Sequence, residues 1–238
     1  MKILLLIPSI IFLSILFPSC SSDIIVASDE ITTKEYIFFG YNALEIQNNF
    51  NVFLTFSGTE EKFKIEANDN LHAYIKTTQV DNKLIVKLVG VGNIKGNETL
   101  NIYITTKEIN DIKLEGNSHL TVEDLTNASL KIDLSGNCFV NGSVNVQQMN
   151  LISAGNCKVD LSGNIKTLNA KLNGNCELSD YTLTIEDLIL KLSGNSNAHL
   201  EVTNTISIDA SGNSNLFYKG DASIIHQNLS SNSKIIKV

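Results

Sequence analysis

Three cysteines at a constant spacing are the residues of this sequence whose type and position most suggest chemistry. Cys138, Cys157 and Cys176 are each one repeat of 19 residues apart, and thiolates at regular intervals could bind a soft metal such as zinc or copper(I). Zinc takes its ligands from several directions, whereas residues one repeat apart lie along a line. The equivalent positions of the other repeats carry serine, which favours a column of small, packed side chains and predicts no metal and no cofactor. That column comprises Ser118, Cys138, Cys157, Cys176, Ser196, Ser214 and Ser233.

The fourth cysteine, Cys20, follows a typical export signal. Met1-Lys2 precedes a long apolar run that ends at Pro18-Ser19-Cys20, and a small residue before a cysteine at this point is similar to a bacterial lipobox. We therefore predict a signal peptide over residues 1–19, lipidation of Cys20, and a polar tether over residues 20–35. The alternative is an ordinary cleaved signal with an incidental cysteine. Lipidation would place the protein at the cell envelope, at the outer membrane of a Gram-negative bacterium.

Disulfide bonds are not expected in the rest of the chain. Lipidation of Cys20 would leave three cysteines, an odd number, and the parallel side chains of stacked repeats fit the geometry of a disulfide poorly. We therefore predict free thiols that are buried as small apolar groups.

No other residues form a recognisable catalytic set. The four histidines stand in unrelated contexts, and the sequence has no phosphate-binding loop, no His-Glu-x-x-His motif and no nucleophile elbow. Asp133, Asp160 and Asp209 belong to different repeats, so they do not predict the acidic cluster of a polysaccharide lyase. A protein that is not an enzyme is the hypothesis that these observations favour.

Composition excludes one class of partner and weakens another. The net charge is −7 and arginine is absent, whereas nucleic-acid-binding proteins carry clustered positive charge. Tryptophan is also absent, which weakens sugar binding through aromatic platforms.

The elements that position these residues come from an internal repeat. A motif of alternating apolar residues, Gly-Asn, Ser or Cys, any residue and an apolar residue recurs every 18 to 20 residues. Gly96-Asn97 could be an additional copy, Gly163-Asn164 is out of phase, and Ser231-Asn232 is a decayed last copy. The six intact pairs are Gly116-Asn117, Gly136-Asn137, Gly155-Asn156, Gly174-Asn175, Gly194-Asn195 and Gly212-Asn213.

This repeat predicts an all-β solenoid over residues 111–238, with about seven coils of roughly 19 residues. Glycine and asparagine readily adopt positive φ, so each pair marks a corner. Equivalent residues then stack in columns, and the asparagines are expected to form a hydrogen-bonded ladder that is structural. Two outward columns vary in sequence and are the candidate binding faces. One follows the Ser/Cys position, and the other, which includes Lys113 and Asp133 as oppositely charged neighbours, lies three residues before the glycine.

Residues 36–110 contain alternating strand-like segments without the Gly-Asn motif, and we expect them to cap or start the solenoid. With Asn68-Asp69-Asn70-Leu71, Val80-Asp81-Asn82-Lys83-Leu84-Ile85-Val86 and the later Gly-Asn motifs, the chain resembles the head GIN domain family, bacterial envelope lipoproteins described as adhesins. Family members often have Gly-Ser-Gly where this chain has Gly-Asn-Ser or Gly-Asn-Cys. The resemblance implies a right-handed parallel β-helix-like fold and brings no catalytic residues.

The leading functional hypothesis is a non-enzymatic envelope lipoprotein that displays a rigid surface for adhesion, with a surface glycan or an envelope protein as its partner and a membrane as its anchor. A carbohydrate-binding or carbohydrate-active β-helix protein is the first alternative. An envelope-stress or assembly scaffold is the second. The sequence leaves the oligomeric state open.

Overall fold

The computed structural model describes residues 24–238. The predicted signal peptide and the predicted lipidation site, Cys20, lie outside these residues. Within them, no helix is long and apolar enough to span a membrane.

Short strands and one short helix form the N-terminal part of the described chain. The helix is a 3-10 helix, Asp69–Tyr74, between β5 and β6. The strands are β1 (Ile24–Val26), β2 (Ile31–Tyr36), β3 (Ala43–Ile46), β4 (Asn51–Phe56), β5 (Lys62–Asn68), β6 (Ile75–Val80), β7 (Lys83–Leu88), β8 (Asn93–Lys95) and β9 (Leu100–Thr106).

Long strands, of which β11 to β14 each span almost a full coil, form most of the C-terminal part. They pair in parallel with a shift of one repeat, so that Gly116 lies beside Gly136 and Gly136 beside Gly155. The strands are β10 (Asp111–Gly116), β11 (His119–Gly136), β12 (Phe139–Gly155), β13 (Lys158–Gly174), β14 (Glu177–Gly194), β15 (Asn197–Ala210), β16 (Asn215–Lys219), β17 (Ser223–Leu229) and β18 (Lys234–Lys237). The prediction of an all-β solenoid of about seven coils is confirmed.

Each coil has three sides. Buried and exposed residues alternate along a straight strand, and in β12 this alternation is interrupted near Gly142-Ser143 and at Gln147-Gln148. The Gly-Asn pair forms the third corner. Side one follows the Gly-Asn corner, as in residues 138–142; side two is the short segment 144–147; and side three, residues 149–154, leads to the next Gly-Asn corner.

The core is a stack of aliphatic columns inside this triangle. The column that begins at Leu120 and continues with Val140 and Val159 is buried. A second column begins at Leu114, and there Ser153 replaces leucine in the third coil. Its buried hydroxyl donates to Cys176 Sγ at 3.2 Å, so the polar group has a partner in the core.

Glycine at the Gly-Asn corner is required by both conformation and space. Gly155 has a φ of 111°, where a side chain is strained. A Cβ atom at this position would lie 2.3 Å from the carbonyl oxygen of Gly136. Ser231, in the seventh position, has a φ of 58°, so the decayed copy keeps the left-handed corner without glycine.

The N-terminal strands extend the parallel stack by two further layers. β3 pairs with β10 and β4 with β11, and below them β7 pairs with β3 and β9 with β4, all in parallel. Asn48, with a φ of 83°, lies beneath Gly116, and the Asn117 N–H donates to its carbonyl oxygen at 2.9 Å. Asn48-Asn49-Phe50 therefore takes the place of a Gly-Asn-Ser motif. The prediction that Gly96-Asn97 is an additional copy is wrong, because Gly96 lies beside Ala27 near the end of the β1–β8 pair.

Antiparallel pairs follow below these two layers. β6 pairs with β7, and β5 pairs with β9 and β2, all in antiparallel orientation. They cover the lower end of the parallel stack, which we call the base of the rod. β18 lies at the other end.

The segment predicted as a tether differs from the prediction. Residues 24–26 form β1, which pairs with β8, and residues 31–36 form β2, which pairs with β5. The local sequence lacks a clear period, and the pairing partners lie at least 27 residues further along the chain, so a local pattern does not contain their contribution.

Substitution of a corner glycine should destabilise the stack. Gly155→Ala is expected to lower the free energy of unfolding by at least about 2 kcal/mol, because it adds backbone strain and a clash with the Gly136 carbonyl. Urea unfolding followed by circular dichroism measures the change. Gly58→Ala is the matched control, since a Cβ at Gly58 meets nothing within 4 Å, and its effect should stay within about 0.5 kcal/mol. Equal stability of the two variants would contradict the assigned corner geometry.

Candidate binding groove

The asparagine column forms a ladder whose amides bind one another. Each side-chain Nδ2 donates to the Oδ1 of the asparagine one coil below, at distances from 2.6 to 3.1 Å. Because their donors and acceptors are already paired, we assign these residues a structural role. The ladder runs through Asn49, Asn117, Asn137, Asn156, Asn175, Asn195, Asn213 and Asn232.

The Ser/Cys column lies next to this ladder and has a shared hydrogen-bond pattern. Ser196 Oγ donates to the carbonyl oxygens of Gly174 and Ser193, at 3.3 and 3.0 Å. Cys157 Sγ lies 3.6 Å from the Gly136 oxygen and 3.7 Å from the Ala154 oxygen, the equivalent pair. Serine and cysteine thus serve the same purpose here: each is a compact donor to the glycine carbonyl of the coil below.

The three thiols are free and buried. The hydrogen bond from Cys157 and then burial raise the pKa of Cys176 far above the usual range for a thiol. The pKa of Cys157 is also raised, chiefly by its hydrogen bond with Cys138, whose own pKa is lowered by the same contact. A raised pKa keeps a thiol protonated at neutral pH, and the thiolate is the form that binds metals or reacts.

Side one carries partly exposed aromatic side chains, and several of these rings stack on one another. The rings of Phe53 and Tyr103 are 5.0 Å apart and inclined by 13°, and those of His199 and Phe217 are 4.7 Å apart and inclined by 2°. Rings stacked along the rod cover each other's faces, which leaves mainly their edges to solvent. Like the asparagines of the ladder, these rings stack from coil to coil, and they offer little flat surface to a ligand.

The charged column on side three has the predicted register, since Lys113 lies beside Asp133. The two side chains do not form an ion pair: Lys113 Nζ lies 2.6 Å from Glu115 Oε1 and 3.6 Å from Glu45 Oε1. Further along the column, Lys191 and Asp209 are register partners and form an ion pair at 3.7 Å. The Lys113–Glu115 and Lys191–Asp209 pairs are solvent-accessible and contribute little stability.

Side two bears an open depression with a volume of about 530 Å³. This volume is within the range typical of small-ligand sites. We call it the side-two groove. It crosses four successive coils, β12 to β15, and its lining residues are Asn145, Val146, Gln147, Asn164, Ile165, Lys166, Thr184, Glu186, Thr203 and Asn204.

The side chains at the centre of this groove are exposed and lack protein partners. Within residues 24–238, the side chains of Asn145, Gln147 and Asn164 make no hydrogen bond, and Lys166 and Glu186 make no ion pair. The contrast with the asparagine ladder is direct: the same residue type is fully paired at the corner and unpaired on side two. The groove therefore offers free donors and acceptors to a ligand.

The backbone at each end of the groove is shaped by an irregularity. At the corner before Asn164, Gly163 has a φ of 109°, and a Cβ there would lie 2.1 Å from the Val144 carbonyl oxygen. At the far end, Ile185 pairs with Val202 and Asp187 with Thr205, so two residues lie opposite Glu186. This bulge places Thr203 and Asn204 at the end of the groove.

Sequence reasoning missed the groove, and placed the candidate binding faces on sides one and three. The residues of the side-two groove fall between the Gly-Asn motifs, where nothing repeats strictly. A signal was present in Val144-Asn145-Val146-Gln147 and Gly163-Asn164-Ile165-Lys166, in which polar residues alternate with aliphatic ones. Such alternation predicts outward side chains but not whether they pair with each other.

Comparison with known proteins identifies relatives by family and by fold. Residues 40–222 match the family model described as "putative auto-transporter adhesin, head GIN domain". A comparison with curated proteins found no match.

Several solved structures share the fold. A putative adhesin from Bacteroides fragilis has a TM-score of 0.85 at 22% identity, covering 90% of this chain and all of the other. A putative adhesin from Parabacteroides merdae has a TM-score of 0.69 at 18% identity, and a putative lipid binding protein from Parabacteroides distasonis has a TM-score of 0.66 at 17% identity. The latter two cover 91% of this chain and all of their own.

Exchange of one thiol for a hydroxyl should be tolerated. Cys157→Ser is expected to cost less than about 2 kcal/mol of unfolding free energy, because serine makes the same two hydrogen bonds elsewhere in the column. Thermal unfolding checks the stability, and metal analysis of the purified protein checks the role. Loss of a bound metal in the variant would contradict the packing role of this column.

Proposed function

Because the chain belongs to the head GIN domain family, we propose that it is a non-enzymatic adhesin of the cell envelope, anchored through a lipid on Cys20. In this proposal the protein presents a rigid β-solenoid to a partner outside the anchoring membrane. The partner is a surface glycan or an envelope protein.

The observation that carries the proposal is the division between paired and unpaired columns. Corner residues such as Asn156 and Cys157 bind the coils above and below, so they build the rod. Side-two residues such as Asn145 and Asn164 bind nothing within the described chain. About seven coils at the spacing of paired strands give a rod on the order of 35 Å long, which suits display of a surface at a distance from the base.

Binding without catalysis agrees with the side chains that the groove presents. Among the side chains that the structure describes, those of residues 24–178 and 181–238, no group of three or more His, Cys, Asp or Glu residues could hold a metal ion. Glycoside hydrolysis generally uses two carboxyl groups across the scissile bond. Among the same side chains, Glu186 is the one carboxylate that lines the side-two groove, and nearby Asp187 accepts hydrogen bonds from Asn204 and Thr205.

The short connection to Cys20 supports anchoring at the base. β1 begins at Ile24, and the few residues from Cys20 span at most about 15 Å when extended. A lipid at Cys20 would therefore hold the β1 end of the rod near the bilayer.

Replacement of the lipidated cysteine tests the anchor. Cys20→Ala should move the protein from the membrane pellet to the soluble fraction and abolish incorporation of labelled fatty acid, since no acyl chain remains to partition into lipid. Cys157→Ser is the control and should stay in the membrane pellet. Fatty-acid labelling that persists in Cys20→Ala would contradict lipidation at this residue.

Adhesion is tested with the soluble Cys20→Ala protein. It should bind saturably to whole bacteria, to envelope preparations or to host-cell surfaces, and an unrelated soluble protein of similar net charge should not. Quantitative pull-down and biolayer interferometry measure the binding. Absence of saturable binding to every such surface would overturn the adhesin proposal.

A further inference from the structure

We infer that the side-two groove is a binding site for a neutral oligosaccharide, which lies along the rod across the coils of β12 to β15. This inference rests on the adhesin proposal and specifies the ligand class and the site. It follows from the hydrogen-bonding capacity, the charge and the backbone pairing of the groove.

The unpaired side chains match hydroxyl groups. Asn145, Gln147 and Asn164 each present both an amide donor and an amide acceptor, and Thr184 adds a hydroxyl. A sugar hydroxyl also donates and accepts, so each amide can bind it in either sense. These groups are accessible in the free protein, so they hydrogen-bond to water until the hydroxyl groups of a ligand displace it.

Charge and polarity exclude two other ligand classes. Among the described side chains of the lining, Lys166 and Glu186 are the charged ones, so their charges cancel, and the chain carries −7. An anionic ligand would have one cation to bind and a negative protein to approach. An apolar ligand would find little surface to cover, because Val146 and Ile165 are buried beneath the polar side chains.

A peptide strand is disfavoured by the backbone. Extended peptides commonly bind by adding a strand to an open sheet edge. Side two of β13 pairs with β12 on one side and with β14 on the other. Its backbone N–H and C=O groups are therefore already hydrogen-bonded to the neighbouring strands, and recognition in the groove must depend on side chains.

The dimensions suit an extended oligosaccharide. Asn145, Asn164 and Thr184 are register partners on successive coils, and the lining continues to Thr203 on the next coil. Three coil steps at the spacing of paired strands give about 14 Å. At the β15 end the lining residues are Thr203 and Asn204, at the bulge opposite Glu186.

The decisive experiment titrates the soluble Cys20→Ala protein with cellotetraose, maltotetraose, tetra-N-acetylchitotetraose and, as the anionic probe, tetragalacturonate. Amide chemical shifts report where each probe binds, and calorimetry reports the affinity. At least one neutral tetrasaccharide should bind saturably, with shifts concentrated at residues 145–147, 164–166 and 184–186. Tetragalacturonate should bind more weakly.

Two matched double variants distinguish a loss of affinity that is specific to the groove from a general effect of replacing asparagines. Asn145→Ala with Asn164→Ala should weaken the bound neutral probe by at least about tenfold, the factor expected from loss of two hydrogen-bonding groups. Asn150→Ala with Asn169→Ala removes two exposed, unpaired asparagines from the same two strands on side three. This control should bind as the parent protein does.

Three results would overturn the inference. They are saturable binding by none of the neutral probes, chemical-shift changes confined to another face, and equal loss of affinity in both double variants. Failure here is distinguishable from failure of the adhesin proposal: if Cys20→Ala protein still binds cells or envelopes and the groove double variant binds them equally well, adhesion stands and the groove is not its site.

Discussion

The close contact between stacked corner residues is the constraint on which the rest of this structure depends. At each corner the asparagine N–H donates to the carbonyl oxygen of the corner residue one coil below, at 2.7 to 2.9 Å. This approach needs a left-handed backbone and leaves no space for a Cβ atom at positions such as Gly136 and Gly155. Once the corner is fixed, every residue of a coil is placed above its counterpart, and the columns of the rod follow.

Columns formed in this way divide the molecule into a scaffold and a free surface. Stacked identical groups can bind one another, as the ladder asparagines and the Ser/Cys donors do, and groups that are paired along the rod have little capacity left for a ligand. Side two does not share this pairing. Asn145, Asn164 and Thr184 share a row but form no ladder, and their polar groups remain available to solvent.

The sequence was sufficient to predict the coil, the ladder and the small-residue column, because glycine at positions such as Gly155 is required by local geometry and is therefore visible as a repeat. It was insufficient where residues of other types adopt the same backbone geometry as the repeat. Asn48 adopts the corner conformation of a glycine, and Phe50 takes the position of a serine, so the coil they form carried no recognisable motif. The pairing of β1 and β2 with distant strands and the lack of partners in the groove are tertiary properties, which no local pattern contains.

Native-state hydrogen exchange at the corner amides tests the central claim most directly. The side chains of Asn137, Asn156 and Asn175 are exposed, yet their backbone N–H groups donate across coils. They should therefore exchange only as the stack opens, with protection close to that of the core amides of Val140 and Val159. Exchange of these asparagine amides at the rate of an unprotected surface loop would contradict the stacking of the corners.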